Sequence, residues 1–345
     1  MSRQEIPSSS ATRVASGPGR GGTLLEARGL SKWFPVRKGV FPRTVGWVKA
    51  VDQVDLSIAP GRTLALVGES GCGKSTLGMT LLRLHRPTAG AIIYGGADIT
   101  HIPGSRLQPY RQKMQIIFQD PYSSLNPRLS IGETLLEGMD VHRIGANRPE
   151  RIERLRHLLP QVGMEPDVLD RYPHEFSGGQ RQRLSIARAL SVEPSLLVCD
   201  EAVSSLDVSV QSQILNLLKE IQAKRGLAYL FITHNLSVVQ YLADTVAVMY
   251  LGRIVEYAKA EDLFQDPRHP YTQALLRSAP DTDPDRSELP TALEGDVPST
   301  SRPPSGCHFH PRCPECFDRC RVEVPPLYPA GEGRVSRCFL EDAVG

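Results

Sequence analysis

At 345 residues with a formal net charge of +2, the chain has material for a large buried core and an expectation of two domains. The near balance of charge argues neither for nor against a nucleic-acid partner, and no apolar run has the length needed to cross a bilayer. Met1 to Gly22 is rich in Ser, Gly and Arg, lacks the apolar core of a secretion signal, and is expected to be disordered.

Leu24 to Val36 alternates apolar and polar residues, which predicts an edge strand ending in Trp33-Phe34-Pro35. Val48–Val51 and Val54–Ile58 predict a further strand pair, closed by a turn at Pro60-Gly61. An aromatic ring in the first segment has two roles open to it, stacking on a purine base or packing in the core.

The apolar run Thr63–Val67 then meets Gly68-Glu69-Ser70-Gly71-Cys72-Gly73-Lys74-Ser75-Thr76, followed by the apolar-rich Leu77–Leu84. Strand, glycine loop and helix in that order form the context of a phosphate-binding loop. Glycines at 68, 71 and 73 let successive N–H groups turn inward around β- and γ-phosphates, and the helix N-terminus adds its own donors and dipole. Lys74 is placed to bridge the terminal phosphates, and the Ser75 hydroxyl suits Mg²⁺, which prefers hard oxygen ligands. Cys72 and Cys199 fit small buried positions.

Ile92-Ile93-Tyr94 before Gly95-Gly96 predicts a hairpin, and Met114–Phe118 a short buried strand ending at Gln119-Asp120-Pro121. From about Ile131 to Leu169 the pattern is helical, with Ile152, Leu155, Leu158, Leu159 and Val162 at helical spacing and Pro166 and Pro173 as punctuation. Ser177-Gly178-Gly179-Gln180 precedes an amphipathic run to Leu190. It reads as a helix start with exposed backbone donors, either a second anion site or a plain cap.

Leu196–Cys199 is apolar and ends in Asp200-Glu201. An acid at a strand tip beside a phosphate loop suits Mg²⁺, and Asp200 is placed for that. Glu201, on the opposite face of an alternating strand, suits activation of the attacking water. Val210–Gly226 predicts an amphipathic helix, and Ala228–Ile232 a buried strand ending at Thr233-His234, whose imidazole can donate to a γ-phosphate. Thr245–Tyr250 predicts a last strand before the turn at Gly252-Arg253.

Gly68–Thr76, Gln119, Ser177–Gln180, Leu196–Glu201, Ser205-Leu206-Asp207 and His234 resemble, in order and over residues 24 to about 262, the ATP-binding cassette ATPases. The resemblance implies an α/β fold: a RecA-like P-loop NTPase core, an antiparallel β subdomain, a helical subdomain near 120–190, and a small Cys-rich C-terminal region. It also implies a head-to-tail pair of cassettes, with ATP between the phosphate loop of one and Ser177, Gly178, Gly179 and Gln180 of the other. On this resemblance Gly68, Glu69, Ser70, Gly71, Cys72, Gly73, Lys74, Ser75 and Thr76 hold the phosphates and Phe34 stacks on adenine. Gln119 senses Mg²⁺ and couples to the membrane, Asp200 is the Mg²⁺ acid, Glu201 the general base and His234 the switch histidine, while Asp207 joins the nucleotide-contacting set. The catalytic group is thus Lys74, Gln119, Glu201 and His234, and the Mg²⁺ group Ser75, Gln119 and Asp200. The chain departs from the family pattern at Ala202, where Pro is usual, and at Asn235, where Asp is usual. Neither touches the inferred chemical groups, and activity is expected to survive both.

Phe118–Pro127, Arg171–His174, Val248–Gly252, Pro267–Leu276 and the insert Lys38–Trp47 resemble more narrowly the dipeptide/oligopeptide importer ATPases, nearest to the second of their two paired subunits. That resemblance implies ATP-driven import of di- and oligopeptides. The implied partners are a paralogous ATPase forming a heterodimer, two transmembrane permease subunits and an extracytoplasmic solute-binding protein, with no nucleic acid. The chain is then expected as a peripheral subunit on the cytoplasmic face of the inner membrane. Importers of nickel, glutathione or other small solutes use the same cassette. Cassette ATPases of DNA repair, translation or cluster assembly are expected to lack the Gln119–Pro127 stretch and the importer-like tail. The implied division is a tail at 1–22, a nucleotide-binding domain at 23–262 and an extension at 263–345.

Seven cysteines are present, five of them after residue 306. Clustered thiols at Cys307, Cys313, Cys316, Cys320 and Cys338 suggest a metal site rather than a disulfide framework. The importer tail pattern matches Cys307, Cys313, Cys320 and Cys338, with Cys316 extra, and resembles one reported to carry a 4Fe-4S cluster. Four thiolates also suit tetrahedral zinc, His308 and His310 leave a mixed zinc site open, and a metal-free tail is the third reading.

Overall fold

A computed structural model describes residues 22–39, 43–120, 125–278 and 295–343. The expected disordered tail lies outside them except for Gly22, as do residues 40–42 of the Lys38–Trp47 insert and 121–124 of the Phe118–Pro127 stretch.

β1 (Leu25–Lys38) and β2 (Arg43–Ile58) form a long antiparallel pair, from Leu25 opposite Ile58 to Lys38 opposite Arg43. β3 (Thr63–Val67) runs into the glycine loop and helix α1 (Lys74–Leu81). β4 (Ala89–Tyr94) and β5 (Ala97–Asp98) make the hairpin at Gly95-Gly96, and α2 (Gln108–Lys113) leads into β6 (Met114–Ile117). The helical region holds α3 (Ile131–Val141), α4 (Arg148–Leu158), short 3-10 turns at Leu159–Val162, Pro166–Asp170 and Pro173–Glu175, and α5 (Gly178–Leu190). The chain continues through β7 (Leu196–Asp200), α6 (Val208–Arg225), β8 (Ala228–Ile232), α7 (Leu236–Leu242), β9 (Thr245–Tyr250) and β10 (Arg253–Lys259). Its C-terminal part adds α8 (Ala260–Gln265), α9 (Pro270–Arg277), α10 (Asp318–Val322), β11 (Tyr328–Pro329) and β12 (Val335–Ser336).

These strands form two sheets. The smaller is antiparallel, in the order β2-β1-β4-β5. The larger runs β11-β12-β10-β9-β3-β8-β7-β6, and its stretch from β9 to β6 is parallel throughout. Every residue of β3, β7 and β8 is buried, as a parallel sheet covered on both faces demands.

Two-residue alternation distributes those side chains between three cores. Leu64, Leu66, Leu196, Val198, Leu230 and Ile232 face α1 and the small sheet, packing with Leu77, Leu81, Leu25 and Leu30. Leu197, Cys199, Tyr229 and Phe231 face the helical region. Ala65 and Val67, with Val246, Val248 and Tyr250 of β9, face Tyr271 and Phe309 of the C-terminal part. Each fully buried aliphatic or aromatic side chain contributes about 1.5–3 kcal/mol. The C-terminal part is therefore bonded to the main sheet through β12 and packed on its face.

Three expectations need correction. β1 is interior, lying between β2 and β4, because its second pairing comes from a strand more than fifty residues downstream, beyond the reach of local pattern. Val48–Ile58 is one continuous strand; the break at Asp52-Gln53 is absorbed as a register shift, with Gln53 at φ 53° and its N–H bonded to Ser31 Oγ at 3.0 Å. β6 is the edge of the large sheet, so Met114 and Ile117 are buried while Gln115 and Ile116 are half-buried.

Candidate active site

β3, β8, β7 and β6 are neighbours and point the same way, so their C-terminal ends open on one edge of the sheet. That edge is where open parallel sheets hold ligands. In spatial order it carries the glycine loop after β3, Thr233-His234 after β8, Asp200-Glu201 after β7 and Gln119 just beyond β6.

The loop's glycines at 68 and 73 are dictated by space as well as by backbone angle. A Cβ on Gly68, at φ +150°, would stand 2.2 Å from the Met249 carbonyl oxygen; one on Gly73, at φ +108°, would stand 2.0 Å from that of Ala50. The loop is thus clasped between β9 and β2. Lys74 is buried and folds back across it, its ammonium donating to the carbonyls of Gly68 (2.7 Å) and Glu69 (2.9 Å). Those bonds keep the cation paired and aimed at the concave side of the loop, where an anion would be received.

Ser75 Oγ donates to Asp200 Oδ1 at 2.9 Å, joining helix α1 to the β7 tip. Burial pushes the Asp200 carboxyl above the usual aspartate range and the nearby Glu201 charge adds to this, while the Ser75 hydrogen bond and Lys74 oppose it. This pair of an exposed hydroxyl and a buried carboxylate offers two hard oxygens to a divalent cation. Glu201 does not continue the strand. It turns at φ 49°, with its N–H on the Ile232 carbonyl (2.9 Å) and its own carbonyl accepting from Ser204 Oγ (3.0 Å). The turn sets its carboxylate apart from Asp200 and 3.3 Å from His234 Nδ1, with the Glu201 side chain 18% exposed and His234 60%.

Both departures from the family pattern have local explanations. Ala202 is 1% exposed and packs in the core beneath the helical region. Asn235 caps α7, its Oδ1 accepting from the N–H of Ser237 (3.0 Å) and of Val238 (3.5 Å).

The remaining expected residues stand at the margins. Gln119 is exposed, and its carbonyl accepts from Ser205 Oγ at 3.2 Å. Phe34 is half-buried on β1 opposite Val48, edge-on to His85 and under Lys32 Nζ at 4.7 Å. It therefore already packs against neighbours. Ser177 and Gln180 form a reciprocal capping box at the start of α5, and a Cβ on Gly179 would stand 2.6 Å from Val210 of α6. Asp207 caps α6, accepting from the Val210 N–H at 2.9 Å. Among the described residues, no hydrogen bond links Ser177–Gln180 to the Gly68–Thr76 loop of the same chain.

Cys307, Cys313, Cys320 and Cys338 line one enclosed cavity with Phe309 and Phe339, and Cys316 is not among the lining residues. Burial pushes the Cys313 thiol up to about 12 and that of Cys338 up to about 11. Among the described residues no group of three or more His, Cys, Asp or Glu side chains is drawn together around a single ion position.

Sequence reasoning missed two contacts to the glycine loop. Arg312 makes a double ion pair with Glu69, and the Tyr271 hydroxyl accepts the Glu69 N–H. Both residues lie more than two hundred positions away in sequence.

Comparison with known proteins agrees with this geometry. Residues 51–204 match the ABC transporter family, and residues 255–320 match the oligopeptide/dipeptide transporter C-terminal region. A probable peptide ABC transporter ATP-binding protein of Sinorhizobium fredii is 52% identical over 317 residues, covering 92% of this chain and 90% of its own length. The oligopeptide transport ATP-binding protein AppF of Bacillus subtilis is 47% identical over 321 residues, covering 92% and 97%. Among solved structures, cbiO1 of Clostridium perfringens, part of an ABC transporter complex, superposes with TM-score 0.60 at 26% identity, over 71% of this chain and 91% of that one. The cassette MJ0796, as a dimer bound to ADP and Pi, shares the fold with TM-score 0.60 at 24% identity, over 68% and 98%.

Glu201→Gln keeps the side chain's shape and removes its basicity. The variant is expected to bind ATP as the wild type does and to hydrolyse it about a hundredfold or more slowly in single-turnover assays. Wild-type turnover would refute the general-base role.

Proposed function

The chain belongs to the ATP-binding proteins of peptide-type ABC transporters, and from that premise we propose that it hydrolyses ATP to power the import of di- and oligopeptides through a membrane transporter. The observation that carries this reading is the convergence of Lys74, Ser75, Asp200, Glu201 and His234 on one sheet edge, in a chain whose C-terminal part matches the oligopeptide/dipeptide transporter region.

The roles follow from position. Gly68–Thr76 cradle the phosphates through backbone N–H groups, and Lys74 exchanges its carbonyl partners for phosphate oxygens. Ser75 and Asp200, with Gln119, hold Mg²⁺, which when bound neutralises charge on the transferred phosphoryl group. Glu201 accepts the proton of the attacking water, and His234, 3.3 Å away, orients Glu201 and donates toward the γ-phosphate. Phe34 stacks on the base. Ser177–Gln180 and Asp207 act on the nucleotide of a second cassette, which fits the lack, among the described residues, of a hydrogen bond from Ser177–Gln180 to the chain's own loop. The partners are then a paralogous ATPase, two permease subunits and a solute-binding protein, with no nucleic acid, the chain being peripheral at the cytoplasmic face of the inner membrane. Among the described residues no helix is long and apolar enough to cross a membrane. Residues 23–262 form the nucleotide-binding domain and 263–345 the importer-type extension.

For the extension, Cys307, Cys313, Cys320 and Cys338, which line one cavity, would hold a 4Fe-4S cluster, with zinc as the alternative. Protein purified without oxygen is expected to contain iron and acid-labile sulfide. Zinc without sulfide would contradict the cluster.

The transport reading is tested by uptake of labelled dipeptide and labelled nickel in cells carrying Glu201→Gln, with redundant peptide systems removed. Loss of peptide uptake with nickel uptake intact is expected. Intact peptide uptake with loss of nickel uptake would move the substrate to another small solute.

A further inference from the structure

The phosphate loop carries a carboxylate of its own. Glu69 follows Gly68 directly, in the stretch that receives the triphosphate, and its side chain is only 21% exposed. A like charge about 6 Å from a bound anion weakens binding on the order of a hundredfold at the effective dielectric of a protein surface. A loop built to bind phosphate therefore needs this charge answered.

Arg312 answers it from the far end of the chain. Its Nη1 and Nη2 donate to the two Glu69 oxygens at 2.7 and 3.0 Å, and its side chain is 3% exposed. Such a bidentate pair fixes both the charge and the direction of the carboxylate. The backbone of the same residue is held as well: the Glu69 N–H donates to the Tyr271 hydroxyl at 2.8 Å. Tyr271 and Tyr250 have ring centroids 4.6 Å apart, and Phe309 packs edge-on against Tyr250 at 5.4 Å. Arg312 closes the 3-10 turn His310–Arg312, between Cys307 and Cys313. One residue of the loop is thus gripped at side chain and backbone by the C-terminal extension.

We propose that Arg312 is a positioning residue for the nucleotide site: it neutralises Glu69 and turns its carboxylate away from the phosphates, which makes the Cys-rich extension a working part of the loop. The proposal rests on the reading of Gly68–Thr76 as an ATP site and names a residue outside that motif on which it depends.

Equilibrium binding of a fluorescent ATP analogue with Mg²⁺ to the full chain separates the two. Wild-type protein that binds no analogue overturns the ATP reading and this inference with it. If the wild type binds, Arg312→Gln is expected to lose about tenfold or more in affinity, with KM, measured beside the paired ATPase, raised far more than kcat is lowered and the deficit shrinking at high salt. Arg312→Lys, which keeps the charge without the fork, is expected to fall between. Glu69→Gln combined with Arg312→Gln removes the repulsion and is expected to recover most of the lost affinity, and it stands in for Arg312→Gln should that variant fail to fold. Wild-type affinity in Arg312→Gln, or a double variant as weak as the single, would overturn the inference while leaving the ATP site intact.

Discussion

The parallel run of β3, β8, β7 and β6 is the constraint from which the site follows. Four chain segments far apart in sequence are obliged to end on one edge, because hydrogen bonding fixes both their order and their direction. β3, β7 and β8 are buried on both faces, so their residues cannot shift without exposing a core. The polar groups at the tips inherit that rigidity. Lys74, Ser75, Asp200, Glu201 and His234 need no contact with one another to be held in relative position, and the bonds they do make refine a placement already set by the sheet.

Polar groups at such an edge carry an electrostatic cost, and the structure offsets it locally. Asp200 is partly desolvated, and the Ser75 hydroxyl and the Lys74 charge oppose the resulting rise in its proton affinity. Lys74 is buried, and two carbonyls of the loop satisfy it. Glu201 occupies left-handed backbone space, an arrangement disfavoured for a non-glycine residue and held by bonds to Ile232 and from Ser204. Glu69 is satisfied by Arg312. The partners of Lys74, Ser75 and Asp200 are ones that a nucleotide or its cation could replace, so the site is organised but not saturated.

What could be read from sequence divides along the range of the interactions. The strand–loop–helix of Thr63–Leu84 and the strands Leu196–Asp200, Ala228–Ile232 and Thr245–Tyr250 carry their signals within a few residues, and these elements formed where the patterns put them. Sheet order did not, since nothing near Leu25 announces that β4 will cover its second edge. The merging of Val48–Val51 with Val54–Ile58 depended on Ser31 receiving the Gln53 N–H across the pair. The departures Asn235 and Ala202, expected to leave activity intact, occupy a helix cap and a buried core position. Arg312 gave no local sign at all; its partner is 243 residues away.

We propose that this chain supplies half of each nucleotide site, with Ser177–Gln180 acting on the nucleotide of another cassette. The most direct test is steady-state ATP turnover per chain, measured at high dilution and then with increasing amounts of the paired ATPase. The account predicts negligible turnover alone and a saturable rise as the partner is added. Turnover at high dilution equal to that of the mixture would contradict it, because the chain's own residues would then suffice.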